Sequence, residues 1–351
     1  MFKNLDKMSR AQRRFMFFVL FGGALLAFIG ISVLLISSSL RSGERVIAQA
    51  LDPNVSVREF ALLSDEKAYP PAVAAGTDGV IVTGSYSTGA MWRISLAGEV
   101  TEIPGTRDTI GAFTGITAAP DGSFLIIDQN DTDPRSAGGR LWRLTGDTLT
   151  DFPAQIDATG WVAPNDLALD TAGRLYVTDS GRNEVWRFEA DGSNGAPWWV
   201  PPESSSSSQR RAVTGITYDP LNDAMIITDA EQNMIYRVNV ADAVASVIYE
   251  HGQRATPPGF DGVTVGPDGT IYVAALGQNG IAIVAPDNTL TYIAGFFRGA
   301  SDVEYVAPGL LIVPNWDQAS IVLPLIAPQL PFSIDVIDLN MPSMTPTPSA
   351  T

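Results

Sequence analysis

The sequence predicts an all-β fold, a six-bladed β-propeller of four-stranded blades preceded by one N-terminal transmembrane helix. Three observations predict it: a single uncharged apolar run near the start, a strand–turn–strand unit that recurs six times, and turns spaced 40–51 residues apart. The 351 residues include no cysteine and one histidine, His251. That excludes disulfides, thiolate metal sites, a cysteine nucleophile and any centre needing two imidazoles. Net charge is −16, from 22 basic and 38 acidic side chains, and the only lysines are Lys3, Lys7 and Lys67. Nucleic-acid binding by phosphate neutralisation is therefore excluded.

The apolar run is Phe15–Ile36, with no charge until Arg41. As a helix it spans roughly 33 Å, enough for a bilayer core. Five basic residues precede it (Lys3, Lys7, Arg10, Arg13, Arg14), and only Arg41 and Arg45 follow closely. The positive-inside rule then keeps residues 1–14 as a cytoplasmic stub, 15–37 as the membrane helix and the rest outside the cytoplasm. A cleaved signal peptide is the competing reading, because Ala48-Gln49-Ala50 has the A-x-A form. The run exceeds a signal's apolar region and the A-x-A lies well beyond its end, which favours an uncleaved anchor. Residues 38–53 read as a linker, 54–340 as the propeller, and 341–351 as a disordered Pro/Thr/Ser tail.

Within the acidic body each repeat pairs a short apolar strand with a strongly β-forming one across a Gly or Asp turn. Gly79, Gly122, Gly173, Asp223, Gly269 and Gly309 mark the six turns. Asp-Gly between apolar strands is a hairpin signal, because the tight turn needs positive φ. A third strand follows with an aromatic-Arg pair in four units: Trp92-Arg93, Trp142-Arg143, Trp186-Arg187 and Tyr236-Arg237. Recurrence at one blade position implies that the rings pack between neighbouring sheets while the arginines pair outside. One four-stranded sheet cannot bury both faces, whereas six arranged radially can, and closure protects most edges. The closing blade is expected to use Val55–Leu63 or the strand around Ile334–Ile337.

The stretch Ala163-Pro164-Asn165-Asp166-Leu167-Ala168-Leu169 through Gly173-Arg174-Leu175-Tyr176-Val177-Thr178-Asp179 resembles NHL-type repeats. It also resembles the propellers of the senescence marker protein (regucalcin)/gluconolactonase family, as do Phe260-Asp261-Gly262-Val263 and Pro267–Val273. The similarity covers about residues 69–325. It implies a divalent cation, calcium or another, in the central tunnel, held by Glu, Asn, Asn and Asp just before the inner strands of blades one, three, four and five. Eight residues before each turn, with Asn222 as the fourth marker, stand Pro71, Thr114, Asn165, Thr214, Asp261 and Ser301. Asn165 and Asp261 match the family's set, Pro71 replaces the Glu, and Thr214 replaces the second Asn. The resemblance thus implies Asn165, Asp261 and Thr214 as metal ligands, with Asp261 holding metal or acting as general base. The bland reading makes Asn165 and Asp261 ordinary polar caps at the tunnel mouth. Asp166 and Asp302, one residue further on, are expected by strand alternation to point away from the tunnel.

Other candidates read more plainly. Asp128–Asp133 crowds carboxylates as calcium loops do, but without the turn Gly and late Glu of an EF-hand, so a polar hairpin loop is favoured. His251 is read as a solvated loop histidine, with pairing to Asp261 as the sharper option. Trp198 and Trp199, in a Pro-rich loop before Ser204–Ser208, are candidate partner-binding anchors, or one ring packs on a blade. The function expected is a membrane-anchored extracytoplasmic propeller that binds a ligand or protein partner at its tunnel face. The alternative is a metal-dependent lactonase or ester hydrolase resembling gluconolactonase.

Overall fold

The computed structural model describes residues 45–133, 136–202, 212–252, 254–323 and 326–340. The stub, the apolar run and the tail fall outside them; among the described residues no helix is long and apolar enough to cross a membrane. The chain divides into two compact units, residues 46–318 with 329–351, and residues 1–45 with 319–328. The described part of the smaller unit holds most of one short helix, Gln318–Val322.

The larger unit is six antiparallel sheets. Blade one is β3 (Val73–Ala75), β4 (Ile81–Gly84), β5 (Met91–Ile94) and β6 (Val100–Ile103). Blade two runs β7 (Phe113–Ala118) to β10 (Thr148–Phe152), blade three β11 (Pro164–Leu169) to β14 (Ala196–Trp199), and blade four β15 (Val213–Asp219) to β18 (Ala245–Glu250). Blade five, β19 (Phe260–Val265) to β22 (Leu290–Gly295), gains a fifth edge strand, β1 (Gln49–Ala50). All six turn markers adopt positive φ, from 45° at Asp223 to 85° at Gly269, as tight hairpins require.

Closure draws on both chain ends at once. In blade six, β23 (Glu304–Val306), β24 (Leu310–Pro314) and β25 (Phe332–Asp338) come from the C-terminal side. The outermost strand, β2 (Ser56–Leu63), comes from the N-terminal side and pairs with β25 from Ser56 opposite Asp338 to Leu63 opposite Phe332. Both segments proposed from sequence therefore form the closing blade.

Six apolar clusters fill the six seams, one between each pair of neighbouring blades, and the ring closes where Ile312, Ile334 and Val336 meet Val73, Ile81 and Ile94. Two of the four aromatic-Arg pairs, Trp92-Arg93 and Tyr236-Arg237, are as expected throughout and the other two in part, with Trp142 only half-buried. Trp92, Trp186 and Tyr236 are buried, while Arg93, Arg143 and Arg237 pair with Asp147, Asp121 and Asp219.

Candidate functional site

The six innermost strands contact one another in sequence around the axis, and the first residues of each define the channel wall. Their geometry departs from simple alternation. In blade three Pro164 lies opposite Asp179 and Leu167 opposite Val177, so the inner strand spends three residues where its partner spends two. The same extra residue occurs between Val213 and Ile216 and between Phe260 and Val263. Each is a β-bulge, which re-aims the side chains beside it.

The bulge re-aims two acids. Asp166 and Asp302, from opposite blades, turn to the inner edge of the next blade, and each raises the proton affinity of acids on other blades. Asp166 also accepts the Ile216 N–H through Oδ2 at 2.9 Å and its neighbour Leu167 N–H through Oδ1 at 2.8 Å. Asp302 does the same with Val73 at 2.9 Å and Val303 at 2.8 Å. The inner strand is a sheet edge with unpaired N–H groups facing the next blade, and these two carboxylates satisfy one each. Sequence reading missed Glu304, which lies two residues beyond Asp302 and accepts from the Ala75 backbone.

Asp166, Asp261, Asp302 and Glu304 thus stand close enough to raise one another's proton affinity, and each is half-buried. Burial is the first cause of a raised pKa in all four. Asp302 is pushed up to about 6 despite its two N–H donors. Glu304 is pushed up to about 8 by burial, then by Asp302 and, more weakly, Asp166. Asp261 rises well above the ordinary carboxylate range through burial, Asp302 and Asp166, with no hydrogen bond opposing it. Asp166 rises similarly through burial and Asp302. No cation counters any of them.

The six positions counted from the turns divide by blade parity. In the even blades a hydroxyl staples the next blade: Thr114 Oγ1 donates to Pro164 O (3.3 Å), Thr214 Oγ1 to Phe260 O (3.2 Å) and Ser301 Oγ to Pro71 O (2.6 Å). In the odd blades stand Pro71, Asn165 and Asp261, and no side-chain hydrogen bond is formed by Asn165 or Asp261 among the described residues. Blades also approach closely here. A Cβ on Gly215 would lie 2.2 Å from Asp261 O, and one on Gly262 would lie 2.1 Å from Asp302 Oδ1, so both positions require glycine.

Set against the ligand ring that the resemblance implies, this donor set does not fit. Pro71 offers no side-chain donor, and the Thr214 hydroxyl is engaged by Phe260 O and Thr228 Oγ1. Among the described residues no three His, Cys, Asp or Glu side chains converge as a metal group. Asn165 and Asp261 remain as the two uncommitted polar groups.

The other candidates resolve into structure. His251 is buried, not solvated: Nδ1 lies 3.0 Å from Tyr249 Oη and Nε2 lies 3.2 Å from Ala255 O. A carbonyl only accepts, so Nε2 carries the proton and Nδ1 accepts from Tyr249; both nitrogens are taken, and no pair with Asp261 forms. Asp128 is a latch, its Oδ1 accepting the N–H groups of Gly111, Ala112 and Asn130 and its Oδ2 that of Trp142 Nε1. Asp179 and Asp229 hold the equivalent loops of blades three and four. Trp198 and Trp199 stand on strand β14 instead of a loop. Trp199 is buried edge-on against Tyr236 of blade four at 5.1 Å, and Trp198 is half-buried against Tyr176 at 4.8 Å.

Comparison with known proteins agrees with the fold. The NHL repeat model matches residues 163–188, the first three strands of blade three, from β11 to the strand Glu184–Phe188. The chain is a six-bladed propeller bearing an NHL repeat. A gluconolactonase from Xanthomonas campestris has TM-score 0.60 at 11% identity, covering 85% of this chain and 96% of its own. Virginiamycin B lyase from Staphylococcus aureus, crystallised as an inactive variant with quinupristin, has TM-score 0.55 at 15% identity, covering 81% and 99%. A nidogen/laminin complex structure scores 0.52 at 20% identity, covering 70% and 90%. No curated protein matches the chain. At these identities the likeness is one of fold, and the propeller's chemistry rests on its own residues.

Proposed function

We propose that the protein is a membrane-anchored extracytoplasmic propeller that binds a positively charged ligand, or a partner presenting one, in its channel. The observation that carries the reading is the set of four axial carboxylates with no neutralising cation, beside the uncommitted side chains of Asn165 and Asp261. Buried like charges raise one another's proton affinity, and an incoming cation relieves burial and repulsion together. Asp261 is the group best suited to meet the ligand, because no backbone donor competes for it. The anchor rests on the Phe15–Ile36 run and its charge asymmetry.

The test uses the full-length protein in detergent at pH 7, with spermidine and, separately, an oligo-arginine peptide as probes. A ligand at 100 times its Kd stabilises the fold by about 2.7 kcal/mol, so a rise of several degrees in Tm is expected from at least one probe. The rise should vanish in an Asp261→Asn/Glu304→Gln double variant. No shift with either probe, or an equal shift in the variant, rejects the reading. The likeness to gluconolactonase in fold, together with Asp261 at the shared position, supports hydrolysis of a lactone as the second reading. Turnover of a lactone panel that is lost in Asp261→Ala would favour it over binding alone.

A further inference from the structure

The strands that close blades five and six carry an unusual surface. Val46, Ile47, Leu51, Leu62, Phe296 and Leu330 are all exposed large apolar side chains, by 37–56%. The fold brings them to one side of the ring. Gln49 pairs with Gly295, which places Phe296 across from the start of β1, and Leu51 packs over Gly295. The Val46 N–H donates to Gln329 Oε1 at 2.7 Å, next to Leu330. Leu62 pairs with Ser333, three residues beyond Leu330. Scattered exposed leucines need no explanation, but a group gathered by register around one seam does.

Phe296 adds an independent observation. Its φ is +64°, in the left-handed region that a bulky side chain rarely occupies. Its neighbour Phe297 is buried in the seam between blades five and six, so the strained turn sends one ring inward and leaves the other outside. Strain of this kind persists where the position serves something beyond packing.

We infer that this patch seats the propeller on the surface of the bilayer that its own N-terminal segment enters. The inference rests on the membrane-anchored reading above. Only residues 37–45 separate the end of the apolar run from Val46, a tether of at most about 35 Å when extended. The patch therefore stays within reach of the interface, and Arg41 and Arg45 lie between the two, where cations favour anionic headgroups. Beyond position 50 the body carries 36 acidic against 15 basic residues, so a face with no apolar groups to insert is repelled from such a membrane. An apolar patch of aliphatic side chains with one phenylalanine is suited to the boundary between headgroups and acyl chains, where amphipathic surfaces insert.

The absence of cysteine provides a direct test. Full-length Ile47→Cys, Phe296→Cys and Leu221→Cys proteins are labelled with an environment-sensitive fluorophore and reconstituted into phosphatidylcholine/phosphatidylglycerol vesicles containing nitroxide-labelled lipid. Leu221 is 62% exposed on the blade-four hairpin turn and serves as the control. Labels at 47 and 296 should be quenched by more than about half, the label at 221 by only a small fraction, as expected for a patch lying about 5–10 Å into the interface. Phe296→Glu should cut quenching at 47 several-fold while the protein stays with the vesicles. Equal quenching at all three positions, with the protein still resistant to alkaline extraction, overturns the seating and leaves the anchor standing. Loss of the protein on alkaline extraction overturns the anchor and the seating with it. Shielding at 47 and 296 that depends on protein concentration in lipid-free detergent assigns the patch to a second copy of the chain and equally overturns the proposal.

Discussion

Replacing Glu304 by glutamine should stabilise the protein at pH 8 and change little at pH 5. In the fold the Glu304 carboxyl titrates at about 8 against an ordinary 4.5, because burial, then Asp302 and Asp166, oppose its charge. An acid whose folded pKa is raised holds its proton more tightly in the native state, so the native form binds more protons between the two values. Its contribution is fully present below pH 4.5 and is lost as pH rises through 8. Taken whole, that interval is worth about 5 kcal/mol at 1.36 kcal/mol per pH unit. Water in the channel and charge shared with Asp302 reduce it, so about 1–3 kcal/mol is the expected gain at pH 8. For a body of this size that is roughly 2–8 °C in Tm. Glutamine keeps an acceptor for the Ala75 N–H and removes only the charge. Melts of full-length wild type and Glu304→Gln in detergent with chelator, at pH 5, 6.5 and 8, measure it. The decisive quantity is the difference between the two proteins, which must widen with pH. A constant difference, or a variant less stable at pH 8, would refute the account of a charge held against its environment.

Three further outcomes follow from the ring and its seams. Thr214→Val removes the donor to Phe260 O and should cost about 1–3 kcal/mol by urea unfolding, whereas Thr214→Ser should retain most of it. Gly215→Ala places a methyl 2.2 Å from Asp261 O; the backbone must give, at about 3 kcal/mol, and cation-induced stabilisation should weaken with it. Trp199→Ala should cost about 3–5 kcal/mol in unfolding free energy, since the ring fills the seam between blades three and four, and the half-buried Trp198 distinctly less. Equal losses at the two tryptophans would contradict the packing described for β14.

The architecture was legible because its determinants are local and repeated. A positive-φ turn leaves a glycine or aspartate in the sequence, and each of the six chosen markers adopts that conformation. The aromatic-Arg pairs likewise report one position that four of the blades fill in the same way. The axis was less legible, since its geometry depends on what the next blade contributes. One bulged residue at the start of β11 converts Asp166 from an outward residue into a channel carboxylate, and strand alternation alone carries no sign of it. Glycines at 215 and 262, where blades three and six have Asp166 and Asp302, were the available signal. In blades two to six that position either lacks a Cβ or directs its side chain to the neighbouring edge. Histidine 251 was misread for a related reason. Its burial comes from Tyr249 and Ala255, contacts that a Gly-rich polar segment does not advertise.

The parity of the ring separates stability from chemistry. Hydroxyls in blades two and four grip the carbonyls of Pro164 and Phe260, the residues immediately before Asn165 and Asp261. Thr228 Oγ1 adds a second hold on Asp261 at its own carbonyl, at 2.6 Å. The backbone beneath both uncommitted side chains is therefore fixed from the preceding blade, and the side chains themselves bear no structural load. Such an arrangement can exchange Asn165 or Asp261 for other polar residues without loosening the wheel, because the groups that hold the ring are not these two side chains. Asp166 and Asp302 are the exceptions, serving as edge acceptors and as channel charges at once. Asparagine at either would lose the charge and keep one of the two acceptors, enough for the neighbouring blade's N–H but not also for that of Leu167 or Val303. The fold should then survive while cation binding in the channel falls, and that separation is what a ring built on shared acids, but not one built on staples alone, predicts.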